Sequence, residues 1–149
     1  MKRAIQLSRS NVDRGGGPFG AIVVKDGKII GEGCNQVTMK NDPTAHAEVE
    51  AIRQACKSMV NFDLTGCEIY TSCEPCPMCL SAIYWARISK IYFANTQQDA
   101  AAIRFDDKFL YEEIPKEKSQ RKIPMVSLMR DEALQVFKHW DQKIDKTPY

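Results

Sequence analysis

Tyr70-Thr71-Ser72-Cys73-Glu74-Pro75-Cys76-Pro77-Met78-Cys79 is the stretch on which the reading of the chain turns. Residues 67–72 predict a buried strand, and that strand runs directly into three thiols within seven residues. Residues 78–86 predict a helix, with Pro77 suited to its first turn. Cys76 and Cys79 therefore stand at a helix start, where the positive end of the peptide dipoles favours thiolate over thiol. Such spacing suits a metal better than a hydrophobic core, and it supplies half of a zinc site. The other half is His46-Ala47-Glu48, preceded by Asp42-Pro43-Thr44-Ala45: one imidazole and, two residues later, a carboxylate that need not touch the metal.

Two thiolates and a neutral imidazole balance the charge of Zn²⁺ and fill three tetrahedral positions. A fourth remains for water, whose pKa the metal lowers toward ~7. A nearby glutamate then takes the water's proton and passes it on. Two structural readings compete with this one. Cys73, Cys76, Cys79 and His46 can close into a four-ligand structural site, but that leaves Glu48 and the Pro-Cys-x-x-Cys register without a use. Alternatively the cysteines are unligated buried thiols, which is the reading for Cys34, Cys56 and Cys67. Glu50 rivals Glu48, because residues of a regular helix turn by ~100° each and His46 shares a face with Glu50. Glu48 is retained because a helix capped by Asp42 and opened by Pro43 puts His46 in its first turn, where both side chains reach past the helix end.

With 149 residues, 44% hydrophobic and 27% charged, the composition is that of one globular domain spanning 1–149. Six cysteines without a signal peptide or membrane-length apolar run point to a reducing cytoplasm and to no membrane partner. A net charge of +2 is too small for the basic face of a nucleic-acid binder, and the lysines and arginine of 116–122 are read as a solvated loop.

Met1, Ala4, Ile5, Ser8 and Val12 fall at helical spacing and stop at Gly15-Gly16-Gly17. Residues 19–25 and 28–32 flank Asp26-Gly27, a strong hairpin signal. A helix over 43–60 carries the stripe Ala45, Val49, Ile52, Cys56 and Met59 and is expected to pack on a sheet. Residues 90–94 predict a strand, 96–122 an irregular stretch with a helix near 107–113, and 123–128 a last, parallel strand. Ala133, Val136, Phe137, Trp140 and Ile144 stripe a final helix. A hairpin followed by alternating strands and helices predicts a three-layer α/β/α sandwich around a mixed five-stranded sheet.

His-x-Glu followed by Pro-Cys-x-x-Cys is also the signature of zinc-dependent base deaminases. Gly16-Gly17-Pro18-Phe19-Gly20-Ala21, Asn41-Asp42-Pro43-Thr44-Ala45-His46-Ala47-Glu48-Val49, the thiol loop and Ala82-Ile83-Tyr84-Trp85-Ala86-Arg87 resemble guanine deaminases of the bacterial, cytidine-deaminase-fold type. So do Phe105-Asp106-Asp107-Lys108-Phe109-Leu110-Tyr111 and a tail ending in tyrosine, which lie closer to guanine deaminases than to the wider superfamily. The resemblance implies hydrolysis of a purine base, guanine, to xanthine and ammonia. It implies one Zn²⁺ per chain on His46, Cys76 and Cys79, with Glu48 shuttling protons and Asp107 as a second acid contacting the base. It further implies Asn35, Phe19, Trp85 and Tyr149 around the base, Tyr149 as a lid, and a homodimer that exchanges its C-terminal segment. A charged Arg104 stands before Phe105, where the family pattern suggests a small residue. The alternatives are a tRNA adenosine deaminase or another cytosine or nucleoside deaminase, and a non-catalytic zinc module. The tRNA reading shares residues 42–48 but wants a basic groove for phosphates.

Overall fold

A computed structural model describes residues 1–149, which form two compact units, Met1–Lys108 and Phe109–Tyr149. In the first, helix α1 (Lys2–Asp13) leads to the hairpin of β1 (Gly20–Lys25) and β2 (Lys28–Cys34). A short helix α2 (Val37–Lys40), helix α3 (Ala47–Met59), strand β3 (Glu68–Cys73), helix α4 (Pro77–Trp85), strand β4 (Lys90–Asn95) and helix α5 (Gln97–Ala102) follow. The hairpin turns at Asp26 and Gly27, both with positive φ (49° and 74°), as an Asp-Gly turn of this type requires.

The sheet has four strands in the order β2-β1-β3-β4, with β3 and β4 parallel and the other pairs antiparallel, so it is mixed as expected. The fifth strand expected at 123–128 is absent: that stretch carries neither helix nor strand, because extended backbone becomes a strand only when a neighbour completes its ladder.

Register assigns the two faces. Gly33 pairs with Ala21 and Gly31 with Val23; Ala21 pairs with Thr71 and Val23 with Ile69, so all of these face one side. On that side a Cβ at Gly31 or Gly33 would meet the α3 backbone at 2.3 and 2.1 Å, so only glycine lets the helix lie this close. Ala47, Ala51 and Ala55 of α3 complete the contact in a fully buried cluster with Leu64, Ile69 and Ile83. Gly20, on the opposite side, does the same for α1, meeting Ala4 and Ser8. Helices thus cover both faces, which gives the three layers.

The start of one helix and the inward face of another differ from expectation. The ligand-bearing helix begins at Ala47 instead of 43: Asp42 accepts the Thr44 N–H (2.8 Å) and hydroxyl (2.7 Å), closing a turn that ends in extended backbone at His46 (ψ 156°). In α1, Ile5 and Val12 are exposed and the buried residues are Ala4 and Asn11, so the inward stripe is small and polar. The Phe109–Tyr149 unit contains most of α6 (Lys108–Glu113), a 3-10 turn (Lys118–Gln120) and α7 (Arg130–Gln142). None of these three elements has a buried residue; Val136 and Phe137 of the expected α7 stripe are 65% and 72% exposed. No helix is long and apolar enough to cross a membrane.

Candidate metal centre and active site

Helix starts build the site. His46 is the N-cap of α3 and Cys76 the N-cap of α4, with Pro77 in the first turn of α4 and Cys79 one turn along. Because the backbone at His46 is still extended, the 100° rule does not apply between it and Glu48. His46 Nδ1 lies 3.6 Å from Cys76 Sγ and 3.4 Å from Cys79 Sγ, and the three ligand atoms fall within 4.8 Å of one another. A tetrahedral zinc with Zn–S of ~2.3 Å and Zn–N of ~2.0–2.1 Å separates nitrogen from sulfur by about 3.5 Å, so the donor set fits the ion.

The electrostatics carry the same implication. The Cys76 thiol is lowered to about 4, first by the hydrogen bond from Cys79 and then by His46. Cys79 is pushed up by that same hydrogen bond and by burial. A dication held there would balance the charge of both sulfurs as thiolates. Cys73 stands outside this group: its thiol donates to the Thr96 carbonyl at 3.6 Å, and burial raises it to about 11.

Glu48, 6% exposed, reaches into the same place: Cys79 Sγ donates to its Oε2 at 3.4 Å and the Thr71 hydroxyl to its Oε1 at 3.1 Å. Burial pushes its carboxyl upward. Glu50 turns away, paired with Lys40 at 2.6 Å and Arg53 at 3.0 Å, and does not line the central cavity.

That cavity, about 420 Å³, is of small-molecule size. His46, Cys76 and Glu48 stand on its wall with Phe19, Asn35 and Asp107. The Phe19 and Phe105 rings meet edge to face with centroids 4.9 Å apart. Asn35 accepts the Val37 N–H at 3.3 Å, while Asn11, buried behind it, donates to the Asn35 carbonyl at 2.7 Å and the Gly17 carbonyl at 2.8 Å. Trp85 is 68% exposed at the end of α4 and outside the cavity. Tyr149 is 74% exposed in the C-terminal unit. Sequence reading missed Thr71, Glu74 and Gln97 in or beside the site, and with them α5. Its signal was present: Thr96 and Asp99 form a reciprocal capping box.

Residues 1–95 match the family model of the cytidine and deoxycytidylate deaminase zinc-binding region. The chain is 52% identical over 150 residues to the guanine deaminase of Bacillus subtilis (strain 168), covering 100% of this chain and 96% of that protein. The crystal structure of the Bacillus subtilis guanine deaminase matches with a TM-score of 0.96, over 99% of this chain and 95% of that one. A guanine deaminase structure from Nitrosomonas europaea is 30% identical with a TM-score of 0.69, covering 93% of this chain and 80% of that one. A tRNA-specific adenosine deaminase of Aquifex aeolicus is 43% identical over 94 residues, 63% of this chain and 62% of that protein.

Proposed function

Because the chain belongs to the zinc-binding cytidine and deoxycytidylate deaminase family, we propose that it hydrolyses guanine to xanthine and ammonia. The observation that carries the reaction is the buried Glu48 carboxylate beside Cys79 and His46, on the wall of a cavity of small-molecule size. The substrate follows the full-length match to a guanine deaminase at 52% identity; a tRNA-specific adenosine deaminase of Buchnera aphidicola that covers 94% of the chain is only 35% identical.

His46, Cys76 and Cys79 hold one zinc ion, which when bound supplies a Lewis acid that makes a water acidic near neutral pH. Glu48 accepts a proton from the attacking water and delivers it to the ring nitrogen beside C2 as the C–O bond forms. It then takes the remaining proton from the new C2 hydroxyl and gives it to the departing amine as the C2–N bond breaks and the C2 carbonyl forms, so guanine and water become xanthine and ammonia. Thr71, bonded to the other oxygen, keeps Oε2 turned toward the reacting atoms. Phe19, backed by Phe105, gives the flat ring an apolar wall. The Asn35 oxygen is occupied by Val37, so its amide hydrogens are what it offers the base. Asp107 contacts the base and assists the amine.

The enzyme acts as a homodimer that exchanges its C-terminal segment. Strand β4 is a sheet edge, with Phe93 48% exposed, and residues 123–128 hold Ile123, Val126 and Leu128 at 76% or more exposure. An unpaired edge and an apolar extended segment complete each other when a second copy supplies the segment. Trp85 and Tyr149 then serve a base from across that interface, Tyr149 as a lid. The six free cysteines suit a reducing cytoplasm. Incubating the zinc form with guanine, guanosine, adenine, cytosine and tRNA while measuring ammonia tests the substrate. Release from guanine alone supports the reading, and release from tRNA without guanine turnover overturns it.

A further inference from the structure

The Asp107 carboxylate stands on the short connection between α5 and α6, outside either helix. It follows a left-handed residue, Arg104 (φ 72°), and precedes α6, whose Lys108 N–H is capped by Asp106. What holds it is Gln97, whose Nε2 donates to Asp107 Oδ1 at 2.9 Å. The Gln97 backbone is itself fixed. As the first residue of α5 it follows the capping-box residue Thr96, whose backbone N–H donates to Asp99 (2.8 Å) and whose hydroxyl accepts the Asp99 N–H (3.3 Å). Its own backbone N–H, one of the donors a helix start leaves free, donates to Glu74 Oε2 at 3.0 Å. Glu74 lies in the thiol loop between Cys73 and Cys76, and its N–H donates to the Asn95 carbonyl at 2.8 Å. Glu74, Gln97 and Asp107 all line the cavity.

We propose that Gln97 is a positioning residue that ties the Asp107 carboxylate to the thiol loop through Glu74, holding one carboxylate oxygen so that the other meets the base. The inference rests on the reading of Asp107 as the second acid. A neutral amide suits the task, since it donates a hydrogen bond without cancelling the charge of Asp107 and without competing for the metal. Coupling to the thiol loop matters because a displacement of about 1 Å between catalytic groups can cost ~10²-fold in rate.

The test uses the zinc-loaded full chain with Gln97→Met, which keeps length and volume but removes the amide, Asp107→Asn, and the double variant. Zinc content, thermal unfolding, kcat and KM for guanine are measured on each. Gln97→Met is expected to lower kcat by about 10- to 100-fold at unchanged zinc content and unfolding temperature. In the Asp107→Asn background it is expected to lower kcat no further. Glu74→Leu, which leaves the Gln97 side chain in place but removes its anchor, is expected to show the same dependence on Asp107. An equal loss in both backgrounds shows Gln97 acting through something other than Asp107 and overturns the proposal. Wild-type kcat in Gln97→Met, with Asp107→Asn inactive, overturns it while leaving the role of Asp107 standing. Full turnover in Asp107→Asn overturns the reading of Asp107 and the proposal with it.

Discussion

A carboxylic acid shut away from water holds its proton to higher pH, and Glu48 is in that state by burial. In the role proposed for it Glu48 both takes and gives a proton, which works best when neither form is strongly favoured, so burial suits that role. The three thiols of the loop, close in sequence, differ in kind for equally local reasons: Cys76 is drawn toward thiolate by Cys79 and His46, Cys79 is buried and donates to Glu48, and Cys73 faces a carbonyl. Cys73→Ala is therefore expected to retain stoichiometric zinc by metal analysis, whereas Cys76→Ala loses it. Equal loss in both would place Cys73 among the ligands. The ligand register was legible because Pro-Cys-x-x-Cys fixes which thiols share a helix start. The choice between Glu48 and Glu50 was harder, because it depends on where α3 begins, and the Asp42 turn that delays it is a side-chain hydrogen bond instead of a periodicity.

At the scale of elements, helix ends and a surface ion pair set stability that can be measured separately from catalysis. Helix α3 ends with Val60 in left-handed backbone (φ 51°); the Val60 N–H bonds to the Lys57 carbonyl and the Asn61 N–H to that of Cys56. Glycine is the usual residue there, and a β-branched one is strained. Since the Val60 side chain is 93% exposed and contributes no burial, Val60→Gly is expected to stabilise the protein by about 1 kcal/mol. Denaturant unfolding checks this as a raised midpoint at unchanged slope. Helix α1 is tied to β2 by Arg3, whose guanidinium donates two bonds to Glu32 at 2.7 and 2.6 Å and holds that carboxyl below its ordinary value. Its stabilisation is present above the unfolded value of about 4.5 and is lost as pH falls through the folded one. Glu32→Gln should flatten the loss of thermal stability between pH 6 and 3 by less than ~1 kcal/mol, since the pair is partly solvated. Hairpin, β3, α4 and β4 were legible in the sequence because turn chemistry and apolar runs are local. The short helix α5 was marked only by its capping box, because six residues make too few turns to show a stripe.

The whole molecule is where the sequence left most unsaid. An apolar run at 123–128 has the composition of a strand, yet composition does not say which chain supplies the neighbouring ladder. The proposed exchange makes sedimentation informative: a dimer at micromolar concentration is expected, and a monomer contradicts it. Removing residues 147–149 is expected to lower kcat/KM for guanine well beyond any change in thermal unfolding, because an exposed tail holds little of the core. Unchanged turnover would remove Tyr149 from the site. The proposed chemistry nevertheless rests on one carboxylate beside one metal. The most direct measurement is xanthine formation by zinc-loaded wild type, Glu48→Gln and Glu50→Gln, each at verified zinc stoichiometry. The proposed role of Glu48 predicts rapid xanthine formation by wild type and Glu50→Gln, and a loss of ~10²–10⁴-fold in Glu48→Gln with zinc retained. Xanthine formation by Glu48→Gln at the wild-type rate would contradict it.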